Sequence, residues 1–415
     1  MKISKTESGM PYILYPLKTG YTALASITAF GALDENKKHS AHTLEHMLFE
    51  GTKTKNYRDI DETLSYNAIE YNAATYTDTI KIYTLGVTRK TDILIDLISD
   101  TVQNSIFPSE RLEKEKGPIK NELKADKNGP VVNYYTIVYE ALYGNNGEGK
   151  KIVRWARPPT GPEIDALTVE DLKREYERAF VPENMVFIAY GGMNLDKISK
   201  TIDDKFSSFY RKGPKRDFSE IKPLGKKKEI GVENPKSPYS RLEMFIPTTG
   251  FKIDNRKEYL SLSMISTILN NNLYKTLRQE NGLIYSINVE NNGHIRFGTL
   301  NVYTESSSND FLKVRRIIDK EIDRIHAGEI DPDYIKKIKS ASRDAYIVEK
   351  YRNPISSAIR IALLELQARV ISGYENYSLL SQKPIDITTD DIRAACDKYI
   401  NLDRAVNLSF INKKT

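Results

Sequence analysis

Apolar, β-branched and aromatic residues crowd positions 11–17 and 21–30, and this density predicts two strands near the start of the chain. Ser40 can then cap a helix running to about Glu50, where Gly51 can serve as the stop. Positions 69–76 and 80–87 read as adjacent strands. Helical spacing returns at 91–104, 109–127 and 131–142. The first half closes with a helix at 169–180, a strand at 185–190 and a helix at 195–209. Residues 211–228 are rich in Lys, Arg, Pro and Gly, which marks a linker. The order then partly repeats. Strands are expected at 228–232 and 241–246, a helix at 259–269, and strands at 284–289 and 297–304. Long helices follow at 310–327 and 332–351, with more helix through to Tyr399 and a last strand at 405–411. Each half ends on the same phrase: Thr168-Val-Glu-Asp-Leu172 before one strand and Thr388-Thr-Asp-Asp-Ile392 before the other. The pattern predicts an α+β fold made of a duplicated unit, with domains at 1–212 and 228–415 and a linker at 213–227.

A length of 415 residues agrees with two cores rather than one. Hydrophobic residues at 40% and charged residues at 28% describe a water-soluble globular protein. The net charge of +6 arises from 62 basic against 56 acidic residues, so both signs are abundant. The longest basic run, Lys226 to Lys228, lacks aromatic interleaving and reads as solvated surface, not as a nucleic-acid patch. Cys396 is the only cysteine, which rules out an intrachain disulfide and a thiolate metal cluster. The N-terminus lacks the apolar core of a signal peptide, and no apolar stretch is long enough to cross a bilayer. These features predict a cytoplasmic protein without nucleic-acid or membrane partners.

The candidate chemistry is concentrated in one segment. Of five histidines, His39, His42 and His46 lie within eight residues. His42 and His46 are four apart, so a helix projects them from one face, where one Zn²⁺ can take both at about 2.0–2.1 Å. Glu45, one residue before the second histidine, faces nearly the same way and can hold a metal-bound water. The bland alternative is a helix with surface or core histidines that happens to carry a Glu, and five residues alone leave it open. A tetrahedral catalytic zinc needs a third protein ligand and one open position. Glu122, on the helical pattern that begins near Ser109, is a candidate, and Glu115 lies two turns earlier on the same face.

The segment Ala41-His-Thr-Leu-Glu-His-Met-Leu-Phe-Glu-Gly-Thr52 resembles the pitrilysin or insulin-degrading-enzyme family of inverted zincins, which includes the mitochondrial processing peptidases. The resemblance implies tandem LuxS/processing-peptidase-like α/β units, each a mainly antiparallel sheet packed with helices. It makes Glu122 the third ligand of one Zn²⁺ per chain and Glu115 an electrostatic support. It also makes Asn72, Ala73 and Ala74 part of an edge strand that pairs with the substrate backbone. Leu277-Arg-Gln-Glu-Asn-Gly-Leu-Ile-Tyr-Ser286 is similar to a further family segment, in which Arg278 would grip a substrate carbonyl and Tyr285 would stabilise the oxyanion. The implied activity is metal-assisted hydrolysis of peptides, with Glu45 as general base and then general acid.

Two features depart from the family pattern. Gly117-Pro118 falls between Glu115 and Glu122, where proline can kink the helix and re-aim Glu115. Asn270-Asn-Asn272 stands where many relatives are glycine-rich, which argues against the substrate-guiding subunit of the mitochondrial enzyme. Family members enclose a chamber with four such units, so a chain with two implies a homodimer whose Arg278 and Tyr285 serve the partner's zinc. The competing expectations are the catalytic subunit of a heterodimer with a related chain, and a non-catalytic core-protein-like scaffold.

Overall fold

The computed structural model describes residues 1–127, 132–213, 216–233, 239–374 and 385–411. Six strands form the first sheet: β1 (Lys2–Lys5), β2 (Pro11–Pro16), β3 (Tyr21–Thr28), β4 (Glu70–Thr75), β5 (Ile80–Val87) and β6 (Met185–Gly191), in the order β1-β2-β6-β3-β5-β4. Five form the second: β7 (Lys228–Glu233), β8 (Ser240–Thr248), β9 (Ile284–Gly293), β10 (Gly298–Ser306) and β11 (Val406–Ile411), in the order β7-β11-β8-β10-β9. Leaving aside β1, the two orders are the same along the chain. In each, one pair is parallel (β2 with β6, β7 with β11) and the others are antiparallel. The fold is therefore α+β, with two copies of a mainly antiparallel sheet packed with helices. The repeated closing phrase has a local cause. Thr168 with Asp171, and Thr388 with Asp391, each complete a reciprocal capping box that starts a helix leading into the closing strand.

Two compact units emerge from the packing. One comprises residues 1–130, 158–217 and 343–382, and the other 131–157, 218–342 and 383–415. They are not the contiguous halves expected on either side of a linker at 213–227, of which residues 214 and 215 lie outside the described residues. The reason lies in the sheet faces. On β6, Met185, Phe187 and Ala189 enter the core that holds Leu94, Ile98, Ile202 and Phe206. Val186, Ile188 and Tyr190, on the opposite face, are buried as well, and there the helix Pro354–Glu365 packs on β3, β5 and β6. The second unit uses the same device in reverse. Its helix Val132–Tyr143 packs on β11, and Tyr143 donates to the carbonyl of Gly298 at 3.0 Å. A sheet buried on both faces needs two covers, and period-two alternation does not say where in the chain the second comes from.

Local signals explain other differences. The helix Tyr57–Asn67 buries only Ile60 and so has little apolar periodicity, but Asn56 and Asp59 form the capping box that starts it. The further helix expected beyond residue 351 starts anew after Asn353, whose side chain caps a helix that has Pro354 in its first turn. Residues 375–384 of that expected helix lie outside the described residues. The helix Ser109–Lys127 passes through Pro118 without ending. Leu112 and Ile119 are buried on either side of the proline, and Lys116 donates to the carbonyl of Asp165 at 2.9 Å. Packing on both turns thus outweighs the one lost donor.

Candidate metal centre

The loop after β3 decides where the histidines go. A Cβ on Gly31 would lie 2.4 Å from the carbonyl oxygen of Tyr76, so only glycine lets this backbone cross the end of β4. Ala32 and Leu33 then donate to the carbonyls of Tyr76 and Thr77, each at 2.9 Å. The helix that follows, Ser40–Met47, has no side-chain cap; its N-cap is His39, in the left-handed region at φ 71°. Ser40, expected to cap, is the first helical residue. Its hydroxyl donates to the carbonyl of Lys37 and to Glu175. The orphan N–H groups are met from further away: Glu35 accepts from the N–H of His39 at 2.8 Å and of Ala41 at 3.3 Å. Both Glu35 and Glu175 are buried, and a carboxylate at a helix N-terminus also suits the macrodipole.

On this helix Ala41, Leu44, Met47 and, just beyond it, Leu48 are buried, and the opposite side carries His42, Glu45 and His46. Glu122 reaches over from the Ser109–Lys127 helix. Its Oε2 lies 4.0 Å from His42 Nε2 and 3.5 Å from His46 Nε2, and the three donor atoms all fall within 4.8 Å of one another. Tetrahedral ligands at zinc-nitrogen distances are separated by about 3.4 Å, so the set lies within about 1.5 Å of bonding range. Two nitrogens and a carboxylate oxygen are the donors zinc takes in a catalytic site, and the residues therefore fit the ion.

Glu45 Oε2 stands 3.9 Å from His42 Nε2. Thr75, at the end of β4, lies beside this carboxylate and favours its ionised form, while the Thr75 hydroxyl donates to the carbonyl of Ala41 at 3.4 Å. Glu115 Oε2 lies 3.4 Å from His46 Nδ1, so the uninterrupted helix keeps this residue behind the second histidine. His42 Nδ1 lies 2.8 Å from His39 Nε2. Burial, helped by His46, depresses the His42 pKa to about 4, and burial with the neighbouring His42, Lys38 and His46 takes His39 to about 3. Both rings are therefore neutral at physiological pH, the form that ligates metal. Burial raises the Glu45 pKa against the opposing effects of His46 and Thr75, while Glu122 adds to the rise. A carboxylate destabilised in this way is a better proton acceptor than one in water.

Among the described residues, the strand carrying Asn72, Ala73 and Ala74, β4, pairs only with β5 and is the edge of its sheet. It packs on the Ser40–Met47 helix, so a sheet edge borders the histidines, and the N–H of Ala73 on that strand donates to the side-chain oxygen of Asn72 at 2.8 Å. Arg278 and Tyr285 belong to the other unit. There the Arg278 guanidinium lies 5.3 Å from the centroid of the Tyr285 ring and donates to the carbonyl of Ile284 at 3.0 Å. The Tyr285 side chain is 80% exposed, and both residues line a cleft of about 520 Å³ with Gly282, Glu305 and Asp310.

Glu35 and Glu175, whose bonds fix the helix across 4 to 135 residues of sequence, and Thr75 beside Glu45 are not given by the spacing of the motif. His39 is a third histidine beside the motif, three residues before His42, but it sits outside the helix as a left-handed N-cap, so helical spacing does not describe its contact.

Two family models match the chain. Residues 23–154 match "Insulinase (Peptidase family M16)" and residues 166–342 match "Peptidase M16 inactive domain". His42, Glu45, His46, Glu115 and Glu122 all lie in the first match. The chain is 22% identical to the uncharacterized zinc protease YmxG of Bacillus subtilis, over 90% of this chain and 83% of that one. It is also 22% identical to the human mitochondrial-processing peptidase subunit beta, over 89% and 76% respectively. Among solved structures, a protease from Helicobacter pylori superposes with a TM-score of 0.83 at 17% identity, covering 99% of this chain and 98% of that one. The first half of the periplasmic protease PqqL from Escherichia coli superposes with a TM-score of 0.78 at 15% identity, covering 100% and 92%. Among the described residues no helix is long and apolar enough to cross a membrane.

Proposed function

The chain belongs to the M16 peptidase family, and from that premise we propose that it is a zinc-dependent endopeptidase. The observation that carries this reading is the convergence of His42 Nε2, His46 Nε2 and Glu122 Oε2 beside a partly desolvated Glu45. His42, His46 and Glu122 hold one zinc ion. When bound, zinc supplies a Lewis acid that polarises a carbonyl and acidifies water. Glu45 accepts a proton from the attacking water at its carboxylate and delivers it to the leaving amide nitrogen. Thr75, beside that carboxylate, favours its ionised form. Glu115 holds the His46 ring from behind. The free edge of β4 around Asn72, Ala73 and Ala74 takes the peptide as an added strand, with affinity from main-chain hydrogen bonds whatever the side chains. Arg278 grips a substrate carbonyl, and the Tyr285 hydroxyl donates to the developing oxyanion.

The test is zinc content with cleavage-site mapping on a random peptide library, comparing the protein with Glu45→Gln. Zinc near one per chain in both, and cleavage only by the unaltered protein, is the expected result. A protein without stoichiometric zinc, or a fully active Glu45→Gln, would refute the proposal. We further propose a homodimer in which Arg278 and Tyr285 of one chain complete the site of the other. Mixing Glu45→Gln with Tyr285→Phe chains then restores some activity, and no rescue despite confirmed mixed dimers counts against it. The likeness to a mitochondrial-processing peptidase subunit supports a second reading, cleavage of precursors beside a related partner chain. Size-exclusion chromatography of the single chain with a peptide-cleavage assay separates the two.

A further inference from the structure

A histidine that ligates through Nε2 must keep the lone pair of that nitrogen free, so its hydrogen sits on Nδ1 and needs an acceptor. His46 has the Glu115 carboxylate at 3.4 Å in that place. For His42 the atom at its Nδ1 is Nε2 of His39, 2.8 Å away. The two rings meet edge to face, with centroids 4.6 Å apart at 64°.

His39 occupies this place at a cost. Its backbone is left-handed, φ 71° and ψ 8°, and Ala68 is the only other non-glycine residue with positive φ among those described. Glycine adopts this conformation freely, whereas a Cβ-bearing residue is strained in it. If the position served only the turn into the helix, an imidazole would bring no gain there. Strain retained beside a reactive centre is expected where the side chain has a task. The backbone N–H of His39 is itself fixed by Glu35 at 2.8 Å, so the ring is carried on an anchored turn.

We infer that His39 is a positioning residue for the metal: its Nε2 accepts the Nδ1 hydrogen of His42, which locks that ring in the tautomer and rotation that turn Nε2 toward His46 and Glu122. The two histidine ligands are thereby held by unlike partners, a neutral imidazole behind His42 and a carboxylate behind His46. The inference rests on the zinc reading above.

The experiment measures zinc affinity by competition with a chromophoric chelator, and thermal unfolding of the metal-free protein, for the unaltered chain, His39→Gly and His39→Gln. His39→Gly removes the acceptor and relieves the left-handed strain. It is expected to weaken zinc binding about 10- to 100-fold without lowering the unfolding temperature of the metal-free protein. The Gln side-chain oxygen reaches about as far as Nε2, so His39→Gln is expected to recover affinity to within a few-fold of the unaltered chain. Unchanged affinity in His39→Gly overturns the inference and leaves the zinc reading standing. So does a Gln variant no better than Gly, or a loss of metal-free stability that accounts for the weaker binding. Failure of the unaltered chain to bind zinc overturns the zinc reading itself.

Discussion

Replacing Glu35 by Ala probes how the metal-binding helix is held at its start. The carboxylate is 6% exposed and accepts two N–H groups of the first helical turn, from His39 at 2.8 Å and Ala41 at 3.3 Å. These donors have no partner inside the helix, and Ala41 is fully buried, so water does not replace what is lost. A hydrogen bond to a charged group contributes about 1.5–3 kcal/mol. Counting the shorter bond in full and the longer one as a fraction gives a loss of about 2–3 kcal/mol. For a cooperative unit of this size each kcal/mol moves the midpoint by about 2–4 °C, so the first unfolding transition should fall by about 5–10 °C. Calorimetry of the metal-free protein reads this directly. Glu35→Gln, which keeps the shape and one acceptor, should lose less. Because the same turn carries His39, zinc affinity should fall together with stability. An Ala variant that melts with the unaltered protein and binds zinc as tightly would refute the view that Glu35 caps this helix.

Glu45→Gln should retain zinc while peptide cleavage falls by at least about 10²-fold, the usual loss of a general base, as read from initial rates on a quenched peptide. Glu115→Gln should lower zinc affinity by about 10- to 100-fold, since it frees the rear nitrogen of His46; equal affinity in the chelator assay would remove its supporting role. Acid should destabilise the metal-free protein. His42 and His39, depressed to about 4 and about 3, take up protons in the unfolded chain first, so their contribution falls as pH drops from about 6.5 toward 4. Glu45, raised by burial, acts with the opposite sign above its ordinary value, so the titration is cleanest in Glu45→Gln. Urea midpoints that stay level across that window would contradict it.

Much of this protein is written in local order. The i, i+4 pair His42 and His46, with Glu45 between, needs only a helix to become half a metal site, because 3.6 residues per turn set the geometry. The repeated Thr-x-x-Asp boxes at Thr168 and Thr388 likewise announce the duplication, since each acts within one helical turn. Spacing also put Glu115 and Glu122 on one helix face. Tertiary structure alone decided that Pro118 would not break that face, because buried Leu112 and Ile119 hold the turns on both sides. It alone exchanged the covering helices, as Val186 and Ile188 require an apolar partner but do not specify one. And it alone supplied Glu35, Thr75 and the ring of His39 around the histidines. Those contacts depend on where a turn strained at φ 71° and a sheet edge come to rest. A sequence period encodes which residues share a face, whereas the partner of a buried polar atom is fixed by packing across the whole unit.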